Sequence, residues 1–214
     1  MPTVTYTANV LFARRYGSSS NMISDAASQG ATSLGQIVGV INFRTMDMTN
    51  KVITGITFKT TCTSSAGAGN GSTKTLYFKQ CAKADPTTST TGNGSTFVGT
   101  ALGSISGTNF YNASNITRVV DTGTSLFTNL KAFLEGGGHS FALYAPDSVP
   151  SSGYSTNYLY LDGLAIVIDY VEGLVYFGTG DAWVKCLVYT VVDGVWVQCI
   201  PYYGSGGLWN QTGG

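Results

Sequence analysis

Few side chains in this sequence could do chemistry. Its one histidine, His139, precedes Ser140. A Ser–His pair works as nucleophile and base only when hydroxyl and imidazole meet in space. Neighbours at the entry of a strand point to opposite faces, so this pair reads as structural. The carboxylates Asp121, Glu135, Asp147, Asp162, Asp169 and Glu172 are scattered, whereas glycoside hydrolysis needs two across one bond. The nucleophile elbow G-x-S-x-G, the P-loop and H-E-x-x-H are absent. No catalytic residue is assigned, and the chain reads as non-enzymatic.

Metal chemistry fares no better. Asp121 and Asp147 could sit near a calcium ion, but calcium needs clustered oxygen ligands that the sequence does not supply. The four cysteines, Cys62, Cys81, Cys186 and Cys199, contain no C-x-x-C pair. With a single histidine they do not make a zinc site. No metal or cofactor is expected. The sequons at Asn70, Asn93, Asn112, Asn115 and Asn210 are what chance gives in a chain so rich in Ser, Thr and Asn.

Sugar binding is the chemistry left open, since planar aromatics stack on pyranose rings and amides bond their hydroxyls. Tyr154, Asn157, Tyr158 and Tyr160 form one candidate ligand surface, and Phe110, Tyr111 and Asn112 a second. Strand alternation would send half of these residues to the core instead.

The strongest pattern is at the C-terminus. From Leu174 the chain falls into three thirteen-residue units, LVYFGTGDAWVKC, LVYTVVDGVWVQC and IPYYGSGGLWNQT. Tyr176, Tyr189 and Tyr202 hold the third position; Trp183, Trp196 and Trp209, the only tryptophans, hold the tenth. A fixed period marks a repeated structural unit. Asp193-Gly194 between apolar runs predicts a two-residue hairpin turn that pairs Val192 with Val195. That register puts Trp183, Leu187 and Tyr189 on one face with Trp196, Ile200 and Tyr202, and sets Cys186 opposite Pro201. The two tail cysteines are therefore expected to be free thiols. Both faces of such a sheet are apolar. Its aromatics either complete the core or form an assembly interface.

The elements that must position these residues are mostly strands. Alternating or apolar runs at Thr3–Phe12, Gln36–Phe43, Val52–Cys62, Lys74–Cys81, Phe97–Ile105, Phe110–Val120 and Ser140–Tyr144 read as strands. Val52–Cys62 and Lys74–Cys81 read as a long-looped hairpin. Tyr158–Tyr170 reads as two strands broken at Asp162-Gly163. Ser18–Leu34 reads as a loop with a helical turn at Met22–Ala27. The one helix expected is Ser125–Glu135, where Leu126, Phe127, Leu130, Phe133 and Leu134 recur at helical spacing behind Thr122 or Thr124 as cap. The fold class is therefore all-β: a jelly-roll sandwich over 1–172 with one short amphipathic helix, then a small antiparallel meander over 173–214.

Composition narrows the setting. Eleven basic and eleven acidic residues cancel, and 10% of residues are charged. With no basic patch, nucleic-acid binding is not expected. No apolar run is long enough to span a membrane, and the N-terminus shows no secretory leader. Ser, Thr, Gly and Asn solvate the surface instead, as suits a particle, a fibre or an extracellular module.

Two resemblances add to this. The succession GQIVGVINFRTMDMTNKVITGITFKTT, TLYFK, DTGTSLFTNLKAFLEGGGHSFALYAPD and LYLDGLAIVIDYVEG resembles carbohydrate-binding jelly-roll modules of the DNRLRE-like type, over roughly Gln36–Gly173. The tail phrase CIPYYGSGGLW is similar to terminal repeats of structural proteins in phages and prophages of Gram-positive, gut-type bacteria. The resemblance implies a virion protein, made in the host cytoplasm and released by lysis: a tail or head fibre, baseplate or decoration component. Its expected partners are other virion proteins, further copies of itself with a trimer favoured, and a cell-surface glycan. The alternatives are a bacterial surface or secreted carbohydrate-binding module, and a cement protein with no ligand.

Overall fold

The computed structural model describes residues 2–32, 35–66, 73–109, 115–144, 157–172, 174–178, 183–192, 194–199, 202–205 and 208–211. Strands form where the sequence alternates or runs apolar. They are β1 (Thr3–Thr7), β2 (Val10–Arg15), β3 (Asn21–Ile23), β4 (Ala27–Thr32), β5 (Gly35–Asn42), β6 (Val52–Ala66), β7 (Thr73–Cys81), β8 (Val98–Asn109), β9 (Ile116–Val120), β10 (Ser140–Leu143) and β11 (Asn157–Val171). A 3-10 turn, Gly94–Phe97, precedes β8, and the helix α1 (Ser125–Glu135) stands between β9 and β10.

The pairing is nested. β1 pairs β11, β5 pairs β10, β6 pairs β9 and β7 pairs β8, all antiparallel. First with last and innermost with innermost is the wrapping of a jelly roll. It lays one sheet in the order β1-β11-β6-β9 against another in the order β3-β2-β5-β10-β7-β8. The expected β6–β7 hairpin is therefore corrected. These strands belong to opposite sheets: β6 lies between β11 and β9, and β7 between β10 and β8.

Their inner faces make the core. Phe58 of β6 stacks on Phe78 of β7 with centroids 4.6 Å apart, and Phe141 packs edge-on against Phe43, Phe78 and Phe133. Ile56, Leu76, Leu143, Leu161, Ile166 and Ile168 fill the space between.

β4 joins the two sheets, pairing β5 through Gly30–Thr32 and β11 through Ala27–Ala31. This replaces the loop and helical turn expected over Ser18–Leu34. The segment is polar and small because it crosses β5 at Gly39, where a Cβ would meet the Ser28 carbonyl oxygen at 2.5 Å. A corner strand packed that closely is built from Ala27 and Ser28, both fully buried. Gln29 extends the seam by donating to the Thr75 carbonyl and accepting from Tyr77 N–H, each at 2.8 Å.

β11 is one strand, not two. Its ladder with β6 runs from Tyr158 to Val171, and Asp162-Gly163 makes an irregularity within it, with Gly163 at φ +56°. A bulge of this kind bends a strand without ending it.

α1 covers one end of the core with Leu126, Phe127, Leu130 and Leu134, as its spacing predicts. The Thr124 hydroxyl caps its start by accepting from Phe127 N–H. At its far end Lys131 donates to the Ile53 carbonyl while Glu135 accepts from Ile53 N–H at 2.7 Å. One ion-paired couple thus grips both backbone groups of a single β6 residue.

The tail is a series of hairpins built from β12 (Leu174–Gly178), β13 (Trp183–Val192), β14 (Val195–Cys199), β15 (Tyr202–Ser205) and β16 (Leu208–Gln211). β12 pairs the first half of β13, β14 pairs its second half, and β15 pairs β16.

Candidate functional surfaces

In the His139–Ser140 neighbourhood the serine hydroxyl is bonded to groups other than the imidazole. The Ser140 hydroxyl has two acceptors for its one proton, Asn42 Oδ1 at 3.0 Å and the Ala84 carbonyl at 3.1 Å, while His139 Nδ1 meets the Gly137 carbonyl at 3.1 Å. Beside them a cleft of about 450 Å³ is lined by Cys81, Lys83, Phe133 and Gly136–Gly138. Burial pushes the Cys81 thiol above its usual pKa, which keeps it protonated and poorly nucleophilic. Asp121 spends a carboxylate oxygen on Gly123 N–H, and Asp147 lies outside the described residues. Among the described residues no three His, Cys, Asp or Glu side chains converge as metal ligands. Nor is any described helix long and apolar enough to cross a membrane.

The most elaborate polar site holds a loop. Residues 82–97 connect β7 to β8 and lie over the outer face of the second sheet. Phe97 seats there edge-on to Phe12, at 5.5 Å, beside Val38, Val40 and Ala142. Arg14, only 3% exposed, lies over both rings, 5.2 Å from Phe12 and 5.1 Å from Phe97. Its guanidinium donates to Asn21 Oδ1 and to the carbonyls of Thr88, Thr90 and Gly92, all at 2.6–2.8 Å. These partners are dipoles rather than a carboxylate, and burial lowers the guanidinium's pKa from its usual value.

The near end of the same loop is tied by Asn42. Its amide donates to Asp85 Oδ1 at 2.6 Å and to the Pro86 carbonyl at 3.1 Å. Arg44 adds a 2.9 Å ion pair, and together these hydrogen bonds hold the Asp85 carboxyl below the ordinary aspartate range. A Ser/Thr-rich stretch that looks featureless in sequence is thus fixed at both ends. The only local signal for it is Arg14 at a position where strand alternation expects an apolar residue.

Beyond that loop the outer face carries an aromatic patch that sequence reasoning missed. Tyr16, just past β2, stacks on Tyr144, just past β10, with centroids 5.0 Å apart and planes 19° from parallel. Tyr144 is buried and anchored through its hydroxyl, which donates to Gln36 Oε1 at 2.7 Å. Tyr16 and Tyr77 are each more than one-third exposed, and the Lys79 ammonium lies 5.8 Å from the Tyr144 ring centre. Residues so far apart in sequence leave no local trace; the β2–β5 and β5–β10 pairings bring them together.

Tyr154 and the Phe110–Asn112 cluster lie outside the described residues. Asn157, Tyr158 and Tyr160 stand on β11, where Tyr158 pairs both Gly30 and Ala66, and Tyr160 both Ser28 and Ser64. These three belong to a strand paired on both edges.

The tail residues occupy equivalent positions. Tyr176 pairs Lys185, Tyr189 pairs Gln198 and Tyr202 pairs Gln211, which is position three with position twelve in every unit. Trp183, Trp196 and Trp209 pair Gly178, Val191 and Gly204, position ten with position five. Each unit is therefore one hairpin, and the three share one register. The Val192–Val195 pairing predicted from Asp193-Gly194 is present. Where the sequence places Cys186 opposite Pro201, however, Cys186 pairs Val175, because the first half of β13 closes the first hairpin. Tyr189, Val191 and Val195 are 48%, 51% and 63% exposed.

No protein-family model and no curated protein matches the chain.

Proposed function

We propose that this chain is a non-enzymatic structural protein of a phage-like particle, a fibre, baseplate or decoration component. Its tail joins it to the assembly and its jelly roll meets the host surface. The observation that carries this reading is the tail. Three hairpins in one register, with Val191 and Val195 more than half exposed on opposite faces, present apolar surface that a free protein would cover. Low charge and a Ser/Thr/Gly/Asn-rich surface agree with life inside an assembly. Several copies on one particle would turn weak glycan contacts into firm attachment. The direct test is sedimentation with particles from a lysate. A chain that stays in the supernatant as a stable monomer sinks the reading.

A second reading, a carbohydrate-binding module, is favoured by the Tyr16–Tyr144 stack with Tyr77 nearby. Supported, partly exposed rings lose little freedom when a sugar packs on them. On a glycan array Tyr16→Ala should lose at least tenfold in binding to whatever sugar the parent chain retains. Equal binding by both removes this face from consideration.

A further inference from the structure

A two-stranded hairpin is marginal in water, and every described strand of the tail belongs to one. β13 shows this best. Its residues 183–187 pair only β12 and its residues 188–192 only β14, so no residue of β13 has a strand partner on both edges among the described residues. The same holds of β12, β14, β15 and β16, each with a single partner strand. Natural sheets protect such edges with charge, proline or bulges. From Leu174 to the end this sequence has three charged residues, Asp181, Lys185 and Asp193, and one proline, Pro201. Its hairpins are therefore apolar on both faces by sequence, nearly uncharged and, among the described residues, open at the edges.

We propose that the partner of this surface is the tail of a second copy of the chain, joined by strand addition along the open edges and by burial of Val191, Val195 and Tyr189. Periodicity selects this occupant. The register repeats unit by unit, so a partner must offer strands and apolar positions at the same thirteen-residue spacing. Another copy of the tail does so by construction. Charge does not oppose the match, because the strand segments carry Lys185 alone. Main-chain hydrogen bonds supply the affinity of such strand addition, and alternate side chains fix its register. The proposal rests on reading the tail as an assembly module and names what it assembles with.

The test uses the full chain. Light scattering should give a multiple of 22.4 kDa at micromolar concentration. All three tryptophans lie in the tail, so dilution should red-shift tryptophan emission as copies separate. Val191→Lys with Val195→Lys should raise the dissociation constant at least tenfold while leaving the far-ultraviolet circular dichroism of the jelly roll unchanged. Val119→Lys, at a 73% exposed position on edge strand β9, should leave the mass as it was. Tyr189→Lys serves as a second tail variant should the double substitution not fold. A wild-type monomer that still sediments with particles overturns self-association and keeps the assembly reading. A monomer that does neither overturns both. An oligomer that survives the lysine substitutions places the interface elsewhere and overturns the proposal.

Discussion

Replacing Arg14 by leucine tests whether the loop over the second sheet is held by one guanidinium. Arg14 donates four hydrogen bonds, three of them to carbonyls of residues 88–92. Hydrogen bonds from a charged donor contribute about 1.5–3 kcal/mol each. Water would recover part of this at the loop carbonyls, and leucine would keep contact with Phe12 and Phe97. The net loss should be about 3–5 kcal/mol, part of the summed worth of four hydrogen bonds from a charged donor. In a domain of this size each kcal/mol moves the midpoint by about 2–4 °C, so Tm should fall by roughly 10 °C. Lysine, with three donors on a flexible stem, should recover less than half of that. Circular dichroism at the sheet band follows the melt, and brief proteinase K digestion should cut the variant near residues 87–93 before the rest of the jelly roll. An Arg14→Leu protein that melts within about 2 °C of the parent, with an uncut loop, refutes the reasoning.

Three further outcomes follow from the same structure. Gly39→Ala should cost about 2–4 kcal/mol, as overpacking against backbone does, because the new methyl meets the Ser28 carbonyl at the β4 crossing; a urea midpoint measures it. Leu130→Ala empties a fully buried position beneath α1 and should cost about 2–5 kcal/mol by the same measurement. Asp85 has a depressed carboxyl pKa in the folded chain, so its contribution is present above the ordinary value of about 3.9 and lost as pH falls through the folded one. Melts at pH 6 and pH 2.5 should therefore differ less for Asp85→Asn than for the parent, and an equal difference would remove Asp85 from the account.

Local features were legible in the sequence and pairings were not. α1 is visible because its stripe and its Thr124 cap lie within one short stretch. The Val192–Val195 turn is visible because Asp193-Gly194 specifies it. β4 was hidden by its own function, since a strand squeezed against Gly39 has no room for the large apolar residues that announce a strand. β6 and β7 look like a hairpin because they are neighbours in sequence, yet β6 pairs β11 and β9 while β7 pairs β10 and β8. The Tyr16–Tyr144 stack and the Arg14 carbonyl contacts depend wholly on those long-range pairings. Of the tail registers only that of β13 with β14 is readable, from Asp193-Gly194; the same reading carries the ladder on to Cys186 and Pro201, whereas Cys186 closes the hairpin with β12.

β11 has a consequence for mechanics. It is the last strand of the jelly roll, and the tail begins two residues beyond it. β6 pairs it along one edge, while β4 and β1 share the other. A pull arriving from the tail enters at Val171 and acts along the axis of a strand bonded on both sides. The ladder bonds then bear the load together in shear, instead of opening one after another like a zip. Traction on the tail should therefore unravel its own two-stranded hairpins well before it extracts β11, leaving the sandwich intact while the tail pays out under tension.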